Sequence, residues 1–149
     1  MRKGRLTWPK GNYFISSFIA EDAEHIDNIQ CYDILTGELA GLEQDRDLAL
    51  LALVVMPDHI HMVIKLGPDA DLSRAMKLFK GRTSLKINRA LKRTGSVWYQ
   101  GFHDHLIRPE EPLKNFIQYI IYNPVKKGLA KNPSEWPYFL IKTDMCEGL

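Results

Sequence analysis

Hydrophobic and polar positions along the 149 residues follow two periods, and each period marks a different kind of element. Tyr13–Ile19 is rich in aromatic and β-branched residues and predicts a first strand. Residues 20–27 are acidic and predict a loop. Over residues 28–45 the spacing of Ile34, Leu35, Leu39 and Leu42 predicts a helix, although Gly37 and Gly41 interrupt it. Leu48–Met56 is a nearly continuous apolar run, which predicts a central strand. His59–Leu66 follows after the short Pro57-Asp58 corner, so the two strands are expected to be antiparallel neighbours.

The second half returns to the helical period. Asp71 is placed to cap a long helix from Leu72 to about Arg93, with Leu72, Met76, Phe79, Thr83, Ile87 and Ala90 or Leu91 facing inward. Thr94-Gly95-Ser96 stops it. Val97–Ile107, with Trp98, Tyr99 and Phe102, predicts a fourth strand bent at Gly101. Pro109-Glu-Glu-Pro112 predicts the opening of a last helix, its acids in the first turn where the dipole favours them. Leu113, Phe116, Ile117 and Ile120 form its core stripe, and Pro124 is expected to end it near Asn123. After Gly128 the chain is expected to be largely irregular.

The order β, α, β, β, α, β, α predicts a single-domain α+β protein, a ferredoxin-like antiparallel sheet with packed helices. Residues 1–11 form a basic N-terminal arm, 12–139 the domain and 140–149 a tail.

Composition narrows the class. A hydrophobic fraction of 45% and a charged fraction of 26% are those of a soluble globular protein. No apolar run approaches ~18 residues, and no apolar segment follows the basic first residues, so neither a membrane span nor a secretory signal is expected. Two distant cysteines, Cys31 and Cys146, fit a reducing cytoplasm better than a disulfide framework.

Charge changes the picture more. The net charge is only +2, but residues 1–71 carry a net −6 and residues 72–149 a net +8. Eight basic residues and no acid lie between Leu72 and His103. Arg82, Lys86, Arg89 and Arg93 recur at helical spacing on one outer face, which suits either a polyanion or water. Arg2, Lys3, Arg5 and Lys10 make the N-terminal arm basic.

Candidate chemistry begins at Met56-Pro-Asp-His-Ile-His61. On a strand, His59 and His61 point to one side while Ile60, Met62 and Ile64 point to the other, into a core. Two imidazoles beside a tight turn can share a divalent ion, or can make ordinary hydrogen bonds. His103-Asp104-His105 repeats the spacing, and spacing alone does not choose between the pairs. On the last helix Tyr119 and Asn123 stand one turn apart on one face. An amide oxygen suits Mg²⁺ or Mn²⁺, and a tyrosine one turn away can attack a phosphate held there. The plainer uses are a core-edge aromatic and a helix C-cap; Tyr122 is the competing nucleophile.

Three segments together resemble the REP-associated tyrosine transposases, relatives of the single-strand "HUH" insertion-sequence transposases. They are Met56-Pro-Asp-His-Ile-His61, Val97-Trp-Tyr-Gln-Gly-Phe-His-Asp-His-Leu-Ile-Arg108, and Tyr119-Ile-Ile-Tyr-Asn-Pro-Val-Lys-Lys-Gly-Leu129. The likeness spans roughly residues 12–139. It implies the ferredoxin-like fold, His59, His61 and Asn123 as ligands of Mg²⁺ or Mn²⁺, and Tyr119 as the nucleophile. It implies cleavage and rejoining of single-stranded DNA next to hairpins through a 5′-phosphotyrosine, by a monomer or homodimer. It ranks His103 and His105 with a DNA-contacting strand; from their charge and spacing, Arg82, Lys86, Arg89 and Arg93 and the arm residues Arg2, Lys3 and Arg5 are expected to hold the DNA backbone. Glu135-Trp-Pro-Tyr-Phe139 and the short segment 20–46 depart from the family pattern. A non-catalytic hairpin-binding module and a metal-dependent hydrolase using water are the competing functions.

Overall fold

The structure is a computed structural model, and it describes residues 11–142. The basic arm, with Arg2, Lys3 and Arg5, lies outside the described residues, as does Cys146. Five strands and three α-helices follow in order: β1 (Asn12–Phe18), α1 (Ile29–Gln44), β2 (Leu48–Val55), β3 (His59–Leu66), α2 (Leu72–Ala90), β4 (His103–Leu106), α3 (Leu113–Lys126) and β5 (Phe139–Ile141). A 3₁₀ turn, Pro133–Glu135, precedes β5. The sheet runs β4-β1-β3-β2-β5, with every pair antiparallel. The first four strands in that order are the ferredoxin-like sheet that the element order predicts.

Local chemistry sets the helix starts. The Asn28 side chain accepts from the Cys31 N–H to cap α1, and Asp71 accepts from the Arg74 N–H to cap α2. Each satisfies a donor that the first turn would otherwise leave open. Gly67, after β3, passes so close to Arg46 that a Cβ would meet its carbonyl oxygen at 1.9 Å. Only glycine fits there.

Alternation along β3 separates two cores. Ile60, Met62 and Ile64 join Tyr13, Ile15, Leu53 and Val55 beneath α1 and α2, packing on Leu35, Leu39, Met76 and Phe79. The other face is covered by α3 and Trp136, over Ala52, Val54, Met56 and Val63. Each fully buried aliphatic or aromatic side chain contributes about 1.5–3 kcal/mol.

Four expectations change. The fourth strand covers only His103–Leu106, not 97–107. Gly101, at φ 85°, breaks the chain before it, and Trp98 turns inward to donate from its indole N–H to Thr83. Glu110 and Glu111 precede α3 instead of forming its first turn. There Glu111 accepts from the Arg108 N–H and pairs with His105, and those bonds hold its carboxyl below the usual range. Helix α3 does not stop at Asn123 but continues through Pro124 to Lys126. The proline sits in the last turn, and its missing N–H costs one bond near the end, where the ladder is finishing anyway. Gly128, at φ 75°, then turns the chain, its N–H donating to Val125. Finally, the tail is not wholly irregular, because β5 adds to the β2 edge. Among the described residues, no helix is long and apolar enough to cross a membrane.

Candidate active site

All four strand histidines emerge on the α3 face of the sheet. Register fixes this: Ser16 pairs with His61 on one side and with His103 on the other, and Phe14 pairs with His105. The two pairs are therefore separated by β1, about 10 Å from strand to strand.

Their surroundings differ. His59 and His61 are nearly buried, at 8% and 7% exposure, and their Nε2 atoms stand 3.2 Å apart. Each ring is held from behind. Asp58 sits 2.7 Å from His59 Nδ1, and Ser16 Oγ is 2.7 Å from His61 Nδ1. Asp58 accepts the His59 Nδ1 proton, a bond that also lowers the Asp58 pKa, and leaves the Nε2 lone pair facing inward. If His61 Nδ1–H likewise donates to Ser16, two lone pairs face one point, an arrangement that calls for a cation. If Ser16 donates instead, a proton on His61 Nε2 bridges the rings. Burial, then the neighbouring His59 and Lys127, push the His61 pKa down to about 4. The imidazole is thus neutral near pH 7, as a metal ligand must be.

Aromatic rings line both sides of this pair. Phe18 stacks on His59 at 5.0 Å and Phe14 on His61 at 5.3 Å. Tyr119, on α3, sets its ring edge-on to His61 at 5.4 Å and to Phe14 at 5.7 Å. It is 40% exposed, so a phenol beside the histidines is open to a large substrate. Tyr122 is 55% exposed and makes none of these ring contacts.

One turn on from Tyr119 lies Asn123, 1% exposed, with neither Oδ1 nor Nδ2 hydrogen-bonded. A buried amide without partners costs about 1–3 kcal/mol per polar atom. The expected plain use as a side-chain helix cap is absent; the cap contacts here are backbone ones. An orphaned amide oxygen on the helix that also carries Tyr119 fits a hard divalent ion. So does the 3.2 Å imidazole separation, which two ligands at ~2.1 Å from one ion can span. Among the described residues no three His, Cys, Asp or Glu side chains cluster, so an ion at this site would need the amide as its third protein ligand.

The second histidine pair is employed differently. His105 pairs with Glu111 and stacks on Phe116, while His103 touches the edge of Phe18. Both are exposed.

The basic row on α2 lies in the opposite layer, with α1. Lys86 is ion-paired to Glu38, and Arg93 donates to Asn88 and to the Ser96 carbonyl. Arg82 and Arg89 remain exposed. Sequence reasoning passed over two cations nearer the site. Lys126 Nζ lies 5.5 Å from the Tyr119 ring centroid, and Lys127 is close enough to depress the His61 pKa. It also passed over Asp58 and Ser16. Asp58 was in plain view beside His59, whereas Ser16 is visible only once the strand register is known.

Comparison with known proteins supplies the family. The family model for IS200-like transposases matches residues 11–123. A REP-associated tyrosine transposase of Escherichia coli is 32% identical over 120 residues, 79% of this chain and 69% of that protein. A relative from Haemophilus influenzae is 32% identical over 106 residues, 64% of this chain and 60% of its own length. Among solved structures, a REP-associated tyrosine transposase bound to a REP hairpin superposes with a TM-score of 0.80 at 26% identity, covering 100% of this chain and 87% of that one. A protein from Deinococcus radiodurans shares the fold, with a TM-score of 0.55 at 22% identity, over 83% of this chain and 97% of its own. With three-quarters of its length matched by that model, and with the E. coli protein as a relative, the chain belongs to the IS200-like transposases, among the REP-associated tyrosine transposases.

Proposed function

We propose that this protein cuts and rejoins single-stranded DNA next to hairpins, with Tyr119 as the nucleophile. The observation that carries the reading is the meeting of α3 with β3: an accessible phenol against a buried histidine pair, with an unpartnered amide one turn further on.

Tyr119 Oη attacks the phosphorus of a phosphodiester. The Oη–P bond forms and the P–O3′ bond breaks, leaving a 5′-phosphotyrosine and a free 3′-hydroxyl. The phenol proton leaves to solvent, and the departing 3′-oxygen takes one up. Because one phosphoester replaces another, a second 3′-hydroxyl can reverse the step and rejoin a strand without ATP. Phe14 and His61, stacked on each other, pack together against the Tyr119 ring and restrict the directions from which Oη can attack. Lys126 and Lys127 bring positive charge to the place where the phosphate must lie.

His59 Nε2, His61 Nε2 and Asn123 Oδ1 would hold Mg²⁺ or Mn²⁺. When bound, such an ion polarises the scissile phosphate, which is worth several kcal/mol. Asp58 and Ser16 keep the two imidazoles aimed inward whether or not the ion is present.

Hairpin recognition follows from the relative whose structure contains a REP hairpin. Arg82 and Arg89, His103 and His105, and the N-terminal residues Arg2, Lys3 and Arg5 are the groups we assign to the DNA. Lys86 and Arg93 join them only at the expense of their protein contacts. The test is incubation of the protein with a single-stranded DNA hairpin and Mg²⁺ or Mn²⁺, then a denaturing gel. A covalent protein–DNA band supports the reading. Cleaved DNA without such a band makes water the nucleophile, and bound, uncut DNA makes the protein a hairpin-binding module.

A further inference from the structure

Cleavage by Tyr119 leaves one proton without a source: the one that the departing 3′-oxygen takes up. A free alkoxide is a poor leaving group. A side chain that protonates it as the P–O3′ bond breaks contributes about 10²–10⁴-fold in rate.

Few groups around the phenol have a proton to give. Nδ1 of His59 and Nδ1 of His61 face Asp58 and Ser16 behind the rings, and the two Nε2 atoms face each other across the proposed ion site. The Asn123 amide is not an acid. His103 and His105 stand beyond β1, with His105 held by Glu111. Two ammonium groups remain, Lys126 and Lys127 at the end of α3.

The two lysines are placed differently. Tyr119, Asn123 and Lys126 follow one another at steps of four and three, so they share one face of α3. Lys126 Nζ lies 5.5 Å from the Tyr119 ring centroid, within reach of a cation–π contact. The side chain is exposed, and no carboxylate of the described residues pairs with it. A cation in the last turn satisfies the helix dipole wherever its ammonium points. The dipole does not require that ammonium to fold back over a ring two turns earlier. Lys127 follows at the C-cap, and its charge is felt at His61, on the side of the proposed ion.

We propose that Lys126 is the general acid of strand cleavage. In an in-line displacement the departing oxygen lies across phosphorus from Tyr119 Oη. The flexible four-carbon stem of Lys126 lets its ammonium swing from the ring to that oxygen. The Oη–P bond forms, the P–O3′ bond breaks, and one proton passes from Nζ to O3′, leaving a neutral amine. The phenol proton goes to solvent. In rejoining, the amine takes the proton of the attacking 3′-hydroxyl, so one side chain serves both directions. The proposal rests on the reading that Tyr119 attacks single-stranded DNA beside a hairpin.

The test uses the full chain, Mn²⁺ and two DNA hairpins that differ in one atom. One has the ordinary 3′-oxygen at the cleaved phosphate; the other has sulfur there. A thiolate leaves without a proton, because thiols are far stronger acids than alcohols. The rate of covalent adduct formation is read on denaturing gels. Lys126→Ala should slow the reaction of the ordinary DNA by about 100-fold or more, yet react with the sulfur DNA at close to the wild-type rate. Lys126→Arg should behave like Lys126→Ala, because a guanidinium keeps the charge but does not give up its proton. Three results overturn the proposal: full activity of Lys126→Arg on the ordinary DNA, equal losses on the two DNAs, or no loss on either. Recovery on the sulfur DNA by Lys127→Ala in place of Lys126→Ala also overturns it and moves the acid by one residue. Failure of the wild-type protein to form an adduct with either DNA overturns instead the reading on which the proposal rests.

Discussion

The two faces of the one sheet are built to different rules. Beneath α1 and α2 every inward position of β1 and β3 except Ser17 is apolar, and together they build the larger core. Beneath α3 the same strands present Ser16, His59 and His61, flanked by aromatics that are only partly covered. Buried polar atoms there include an amide with no partner at all. The first face meets the ordinary requirement that buried groups be apolar or bonded at all these strand positions but Ser17, whose Oγ has no partner. The second violates it at Asn123, and the violation sits one turn from a half-exposed tyrosine. The larger apolar core lies on one side of a single layer of backbone, and the polar groups of the candidate site lie on the other.

The comparison can be broken most severely at Tyr119. Tyr119→Phe should abolish the covalent DNA adduct on a denaturing gel while hairpin binding and thermal stability persist; Tyr122→Phe should leave the adduct intact. An adduct lost only in the second variant would move the nucleophile.

Acid should expose the next largest difference. In the unfolded chain His61 takes up a proton near pH 6.5, but in the metal-free folded protein only near 4. Stability from this residue is therefore complete above pH 6.5 and is lost as the pH falls toward 4, by about 3 kcal/mol. Urea unfolding at pH 7.5 and 5 should show a larger loss for the wild type than for His61→Gln. Equal losses would place the acid sensitivity elsewhere.

Smaller still is the effect of the groups behind the imidazoles. Asp58→Ala and Ser16→Ala should each weaken Mn²⁺ binding about 10–100-fold by titration calorimetry, with the fold intact. The mildest change runs the other way. Asn123→Leu replaces an unpartnered amide by an apolar group of similar size and should stabilise the metal-free protein by about 1–2 kcal/mol while reducing adduct formation. If it destabilises instead, the amide has a structural partner, and the contrast between the faces is weaker than drawn.

Much of this was legible from periodicity. Alternation at His59–Leu66 places imidazoles on one side and core residues on the other, and the register bears that out. Helical spacing gives α1 to within one residue at each end, and the Asp71 cap gives the start of α2, which ends three residues before the expected Arg93. What failed was local sequence standing in for tertiary context. Trp98 and Phe102 look like strand residues because they are aromatic, but they serve the core from an irregular segment. Phe139–Ile141 is too short to announce a strand, and becomes one only because the β2 edge is there to receive it. The row Arg82, Lys86, Arg89, Arg93 is periodic, yet Lys86 and Arg93 are taken up by Glu38, Asn88 and the Ser96 carbonyl. Position on a helix says which way a cation points, not what it meets. Spacing alone did not choose between the histidine pairs, whereas the resemblance did; the structure adds that Ser16 and Phe14 of β1 brace His61 and that β1 separates the two pairs.

The claim on which the rest depends is that the α3 face assembles a single divalent-ion site from β3 and α3. Crystals of the protein soaked in Mn²⁺ and measured for anomalous scattering test it directly. The account predicts one strong peak within about 2.3 Å of His59 Nε2, His61 Nε2 and Asn123 Oδ1 together. A peak between His103 and His105, or at the first histidine pair with Asn123 turned away, would contradict it.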